Sequence, residues 1–289
     1  MNIRFICQGS WLALDYFVFF LYNELELRDV MNQRFYINSK YYIEKVGVGK
    51  PLYVIGGGPG LDYSYLYKFL VPLSDTRELV FYNQYGLYKE ECTSLDILCE
   101  QLHDILTFCN EKKDVFVHSF GSHLLFSVLE KYDDVNIDKI VVINPSPLKY
   151  DDYVKSSKVL LKRIPKEVME KIHYFELKNS EEAGLMIMSL LLPYYLYDSG
   201  KKVDFSIYNH QMCDKINSEI TKFDFSNFCQ TLQNDILLIK GDYDFISVAD
   251  TLELQIVSKK TIMYDHCGHF AFAEKQKSCL NEIRKFLDT

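Results

Sequence analysis

The sequence predicts an α/β protein: a mostly parallel central sheet with helices on both faces, interrupted by an inserted helical segment. Three observations predict it. Short apolar runs of strand length alternate with segments of helical spacing through residues 34–147, and the pattern resumes after about 231. The run Val115-Phe116-Val117 ends in His118-Ser119-Phe120-Gly121 and passes at once into the apolar pattern Ser122-His123-Leu124-Leu125-Phe126. Loops at the ends of separate predicted strands carry Ser119, Asp244 and His269 in that order. Reacting groups on an open α/β sheet belong at the carboxyl ends of strands.

Taken in order, Arg34 to Ile43 reads as a hairpin with a polar turn at Asn38-Ser39. Pro51-Leu52-Tyr53-Val54-Ile55 is a buried strand closed by Gly56-Gly57-Gly58-Pro59-Gly60, with a helix following through Leu66 to Leu73. Glu78-Leu79-Val80-Phe81-Tyr82 is a second buried strand. Leu95, Leu98, Cys99, Leu102, Ile105, Leu106 and Cys109 then fall at helical spacing, and Thr93 or Ser94 can cap the start. After the strand into Ser119 and its helix, Lys139-Ile140-Val141-Val142-Ile143 is another strand, closed by Asn144-Pro145-Ser146-Pro147. Between 148 and 230 strands are absent, and Lys166 to Glu176 and Glu181 to Leu192 read as helices. Ile236-Leu237-Leu238-Ile239 and Thr261-Ile262-Met263-Tyr264 resume as strands, each with a helix behind it. The expected organisation is an N-terminal extension (1–33), a sheet domain (34–147 and 231–289) and a helical cap insertion (148–230). No internal repeat or low-complexity tract interrupts it.

The 289 residues are 48% apolar and 25% charged, ordinary for a soluble globular protein and ample for a core without staples. A net charge of −8 argues against nucleic acid as a partner, since phosphate contacts need a basic face. Eight cysteines (7, 92, 99, 109, 213, 229, 267 and 279) are scattered without a C-x-x-C pair. They read as reduced thiols, several in the core, and imply a cytoplasmic location. The most apolar stretch, Trp11 to Leu21, is broken by Asp15 and falls short of the roughly 20 residues of a membrane span. It lacks the basic start and Ala-x-Ala site of a signal peptide. A buried strand or helix is expected there, with a peripheral membrane or partner contact as the alternative. Met31 offers a second start, which would make 1–30 dispensable.

A serine hydroxyl is a weak nucleophile that needs a base within hydrogen-bond reach, and the base needs an orienting acid. His118-Ser119-Phe120-Gly121 outlines a nucleophile elbow, where a strand-to-helix turn exposes the serine. Asp244 lies in Gly241-Asp242-Tyr243-Asp244 and His269 in Cys267-Gly268-His269-Phe270, each just past a strand. The order Ser, Asp, His gives nucleophile, acid and base. Plainer roles exist for each: Ser119 as a helix cap, Asp244 as a turn residue, His269 as a structural histidine. His266 is the rival base but lacks the preceding glycine, and His118 reads as a packing or positioning residue. One oxyanion donor would be the N–H of Phe120, the residue after the serine; the other would come from the 56–60 glycine loop. That loop lacks the spacing of a phosphate cradle and could otherwise be a simple tight turn. His266, Cys267 and His269 make only a weak metal set, with no second cluster at ligand spacing. No metal or cofactor is expected.

Together the glycine loop, the serine elbow, Gly-x-x-Asp and Gly-His-Phe resemble the α/β-hydrolase superfamily, and within it the proline iminopeptidase branch. That branch carries His-Gly-Gly-Pro-Gly, matched by Gly56-Gly57-Gly58-Pro59-Gly60, and Tyr-Asp-Gln-Arg-Gly, matched by Tyr82-Asn83-Gln84-Tyr85-Gly86. The resemblance runs over 34–147 and 235–289 and fades across the insertion. It departs at Gly56 (histidine in the branch), at Asn83 and Tyr85 (aspartate and arginine), at Val117 (the first elbow glycine) and at Ser122. It implies the α/β-hydrolase fold, a helical cap over the site, and Gly58 and Phe120 as oxyanion donors. It further implies contact of Gly57 with substrate, and cap acids that hold a free substrate amine; Glu176, Glu181 and Glu182 are the candidates by position. The activity implied is hydrolysis of a small ester or amide through an acyl-enzyme, with a small molecule or short peptide as substrate and aminopeptidase as the leading choice. A carboxylesterase or thioesterase is the alternative, with Leu185 to Tyr195 lining an acyl pocket. A hydrolase fold kept as an inactive interaction module is the third.

Overall fold

A computed structural model of the chain describes residues 33–37, 41–88, 93–178, 180–247 and 249–289. The apolar stretch expected to be buried near the N-terminus and the Asn38-Ser39 turn lie outside the described residues. Within them, strands β1 (Gln33–Ile37), β2 (Tyr41–Val46), β3 (Lys50–Ile55), β4 (Arg77–Tyr82), β5 (Lys113–Ser119), β6 (Ile137–Pro145), β7 (Asp235–Gly241) and β8 (Lys260–Tyr264) form one sheet. Its order is β1-β2-β4-β3-β5-β6-β7-β8. β2 runs against both neighbours, and every other pair is parallel.

The inner strands are apolar throughout because both faces are covered. Leu52, Val54, Phe116, Val141 and Ile239 pack on one side, against helices α1 (Ser64–Leu70), α10 (Ala271–Glu274) and α11 (Gln276–Leu287). Tyr53, Val115, Val117, Val142 and Leu238 pack on the other, against α2 (Leu95–Thr107) and α3 (Phe120–Lys131). The helix expected over 66–73 is α1 followed by a 3-10 turn at Val71–Leu73. Pro72 in that turn has no N–H to continue the α-helical bonding. Ser94 rather than Thr93 caps α2, its hydroxyl accepting from Ile97 N. α2 stops short of Cys109, and the Leu106 and Cys109 carbonyls at its end accept from the buried Lys113 ammonium.

Between β6 and β7 come α4 (Tyr150–Arg163), α5 (Lys166–Glu176), α6 (Glu181–Tyr195), α7 (His210–Glu219) and α8 (Ser226–Thr231). Helix α9 (Leu252–Val257) lies between β7 and β8. Strand order reverses between β3 and β5: from there the chain steps one way to β4 and the other way through β6, β7 and β8. The glycine loop leaves β3 and the serine turn leaves β5, so the two flank the crevice where ligands of open α/β sheets bind.

Candidate active site

Ser119 takes φ 52° and ψ −124°, the left-handed region that a non-glycine residue occupies only when its surroundings force it. The forcing is visible on both sides. A Cβ on Gly121 would lie 2.5 Å from the Ile55 carbonyl oxygen, so only glycine lets α3 start this close to β3. Ser122 donates its hydroxyl to the Ser119 carbonyl at 2.8 Å and accepts from Ser146 N at 3.0 Å, pinning the turn to the end of β6. Val117, where the elbow pattern has glycine, is fully buried in the core at the β3–β5–β6 junction.

The Ser119 side chain makes no capping bond to α3. Its Oγ lies 2.8 Å from His269 Nε2, and His269 Nδ1 lies 2.9 Å from Asp244 Oδ1. His269 and Asp244 are both buried. Burial opposes ionisation of Asp244, but the neighbouring imidazole, Lys240 and the Asn144 amide outweigh it and draw the carboxyl down to about 2. The ionised carboxylate accepts Nδ1–H and leaves Nε2 as an acceptor facing the serine hydroxyl.

Neighbours hold each group. Asn144, itself at φ 44°, donates to Asp244 Oδ2 at 2.8 Å and to the Gly268 carbonyl at 3.2 Å, and accepts from Ala271 N at 3.2 Å. Ile246 N donates to Asp244 Oδ1 at 3.2 Å. The buried Lys240 ammonium ties the next loop residues through the Ile246 and Ser247 carbonyls, each at 3.2 Å. His269 N donates to the Tyr195 carbonyl at the end of α6, at 2.7 Å. A Cβ on Gly268 would lie 2.3 Å from that same oxygen, which explains the glycine before the histidine. His266 turns away, its ring against Tyr197.

In the glycine loop, Gly60 N donates to Gln84 Oε1 at 2.9 Å, and Gln84 Nε2 donates to the Gly57 carbonyl at 3.2 Å. Gly57 N donates to the Tyr65 hydroxyl. Both polar groups of the Gly57 peptide are thus taken within the protein, while Gly58 and Phe120 line the cavity beside Ser119. His118 is buried and bonded at both ring nitrogens, to the Tyr65 hydroxyl and to the His269 carbonyl, each at 3.0 Å. Burial, reinforced by the nearby His269, pushes it down to about 3, so the ring is neutral.

The cavity, of about 370 Å³, has Ser119 and His269 in its wall; Leu160 of α4, Ile164 just after it, and Ile187 and Leu191 of α6 give it an apolar side. Glu176 lines it; Glu181 and Glu182 are exposed in the first turn of α6 and do not. Asp214 of α7, which sequence reasoning missed, lines it too. Burial and the nearby Glu176 raise the Asp214 carboxyl, against the opposing pull of His210. Asn144 and Gln84 were not singled out either: the sequence marked Asn144 only as the close of a strand and Gln84 only as a match within the Tyr-Asp-Gln-Arg-Gly motif. Among the described residues, no group of three histidines, cysteines or carboxylates is placed to hold a metal ion, and no helix is long and apolar enough to cross a membrane.

A sheet of this order, with a serine turn and a glycine loop at its switch point, is the α/β-hydrolase fold. Within it the chain resembles the proline iminopeptidase branch. It is 23% identical to a proline iminopeptidase of Saccharolobus solfataricus, an alignment covering 94% of this chain and 96% of the relative. Among solved structures, a serine hydrolase from the polyaromatic hydrocarbon-degrading bacterium Cycloclasticus zankles superposes with a TM-score of 0.65 at 18% identity, over 89% of this chain and 98% of that one. The proline iminopeptidase of Mycobacterium smegmatis gives 0.60 at 14% identity, with the same coverage. No family model matches the chain.

Proposed function

We propose that the chain is a serine hydrolase that cleaves a small amide or ester through an acyl-enzyme, with substrates bearing a free amine, as the proline iminopeptidase resemblance implies, its first class. The observation that carries the reading is the hydrogen-bonded series from Asp244 through His269 to Ser119, at 2.9 and 2.8 Å, opening on a cavity. Ser119 Oγ attacks the substrate carbonyl carbon while its proton passes to His269 Nε2. The N–H groups of Gly58 and Phe120 take the negative charge that develops on the carbonyl oxygen. Collapse breaks the bond to the leaving amine or alcohol, which takes the proton from His269. Water, activated by the same histidine, then releases the acid. The helices of 148–230 act as a cap, and Glu176 and Asp214, rather than Glu181 or Glu182, attract the amine.

A carboxylesterase is the second reading, favoured by the apolar wall of Leu160, Ile164, Ile187 and Leu191. Incubation with a fluorophosphonate probe tests the common core: wild type becomes labelled and Ser119→Ala does not. Labelling that survives the substitution removes Ser119 as nucleophile, and a wild type that never labels leaves the fold as an interaction module. Turnover of aminoacyl amides beside short acyl esters separates the two enzyme readings.

A further inference from the structure

Tyr65 lies on α1 and His118 on β5, yet their side chains meet in the middle of the site. The Gly57 N–H donates to the Tyr65 oxygen, so the tyrosine proton is left to point at His118 Nδ1, 3.0 Å away. His118 Nδ1 is then the acceptor, and Nε2 carries the hydrogen that goes to the His269 carbonyl at 3.0 Å. Every donor in the chain has one acceptor, and Tyr65, His118 and His269 are each 2% exposed or less. The chain begins one residue before Gly58, passes one residue before Ser119 and ends on His269 itself. Gly57 is packed to match: a Cβ there would meet His118 Nδ1 at 3.0 Å, Ser119 Cβ at 3.1 Å and the Tyr65 hydroxyl at 3.1 Å.

We propose that Tyr65 and His118 form one positioning unit that fixes the oxyanion loop against the nucleophile and the base. The proposal rests on the serine-hydrolase reading. The bonds of both side chains go to each other, to Gly57 N and to the His269 carbonyl, while Ser119 Oγ is paired with His269 Nε2. Their work is to set where the Gly58 N–H stands relative to Ser119 Oγ, and that donor matters only once the oxyanion forms. A fully satisfied buried network is rigid; opened at one link, it leaves unpaired groups at the others. The consequence belongs to the chemical step rather than to substrate binding.

The test uses Tyr65→Phe, His118→Leu, the double variant and His118→Gln, which keeps one donor and one acceptor. Fluorophosphonate labelling rates are measured with kcat and KM for p-nitrophenyl acetate and with thermal unfolding. Tyr65→Phe should unfold cooperatively yet lose at least about tenfold in labelling rate and kcat, as expected when reacting groups are misplaced by a fraction of an ångström. KM should stay within about twofold. The double variant should be no more than about twofold slower than the slower single variant, because either change breaks the same chain. His118→Gln should recover part of the rate lost in His118→Leu. If His118→Leu does not fold, Tyr65→Phe and His118→Gln carry the test. A folded Tyr65→Phe that labels at the wild-type rate, or single effects that multiply in the double variant, overturns the proposal alone. A wild type that neither labels nor turns over the ester removes the hydrolase reading, and the proposal with it.

Discussion

The strand ends and the helices α4 to α7 face one cavity but are built by different means. At the strand ends, working groups are fixed by hydrogen bonds with few alternatives. Asp244 is held by His269, Asn144 and Ile246, and the His269 backbone is bonded through both N–H and carbonyl. The helical wall is shaped mainly by apolar packing, with a few side-chain bonds such as Tyr153 to Asn217 and Ser156 to Asp250. Its cluster has Ile164, Ile172 and Ile187 buried, while Leu161, Tyr174 and Met186 stay exposed, with Leu177 75% exposed. Hydrogen bonds specify an atom's place to a fraction of an ångström; apolar contacts, non-directional, specify a shape and a volume. Damage at the strand ends should therefore fall on kcat, and damage to the helical wall on KM and substrate choice.

The sharpest way to break that division is to spoil one group on each side. Asp244→Asn keeps the shape but reverses the hydrogen bonding that orients His269. It should lower kcat by about 10⁴-fold, the scale of such a change in a serine triad, with little effect on KM. Ile187→Ala, in the helical wall, should cost about 2–5 kcal/mol of stability while changing kcat far less than KM. Steady-state kinetics with urea unfolding checks both, and an Asp244→Asn enzyme within tenfold of wild type would defeat the assignment of the acid.

Gly268 sits where the two regions meet, its Cα side against the Tyr195 and Leu196 backbone. Gly268→Ala puts a methyl where a Cβ would be 2.3 Å from the Tyr195 carbonyl oxygen, so backbone must move. The loss of stability should be about 1–3 kcal/mol. The catalytic loss should be larger in proportion, roughly 100-fold in kcat, because the residue that moves is the neighbour of His269. Equal, small effects on both would show that the joint is compliant.

Acid titration separates the regions by another route. The folded-state carboxyl of Asp244 is drawn from 3.8 to about 2, so its contribution to stability is complete above pH 4 and fades as pH falls through about 2. The difference is about 2 kcal/mol. Unfolding free energies at pH 6, 4 and 3 should fall more steeply for wild type than for Asp244→Asn, whose amide does not titrate. Parallel curves would mean that the buried carboxylate gains nothing from His269 and Lys240.

The same contrast governs what the sequence made legible. Buried strands announce themselves as apolar runs, and a strained serine turn needs Gly121 beside it, so the sheet and the hydrogen-bonded series at its ends follow from local pattern. Asn144 did not, because its partners Asp244, Gly268 and Ala271 are 100 or more residues away. The helices α4, α7 and α8 escaped as well. α4 buries only Ser156 and is rich in lysine and aspartate, so its low apolar content leaves no run that stands out. Glu181 and Glu182 misled for a local reason: they follow the Ser180 cap in the first turn of α6, where acids suit the helix dipole whatever the site requires.

That leaves the helical wall as the place where the smallest effect is the most informative. Glu176 and Asp214 come from different helices, α5 and α7, and both line the cavity. The raised Asp214 carboxyl reflects burial and the charge of Glu176, an arrangement that a bound ammonium would relieve. Both groups are solvent-exposed in part, so each contributes modestly, about 1 kcal/mol together. Glu176→Gln with Asp214→Asn should raise KM for aminoacyl amides about fivefold and leave kcat unchanged. KM for the N-acetylated amides and for short acyl esters should not move. If the amine-bearing and the acetylated substrates shift alike, the two carboxylates are ordinary surface charges, and the apolar wall alone sets the substrate, which favours the esterase reading.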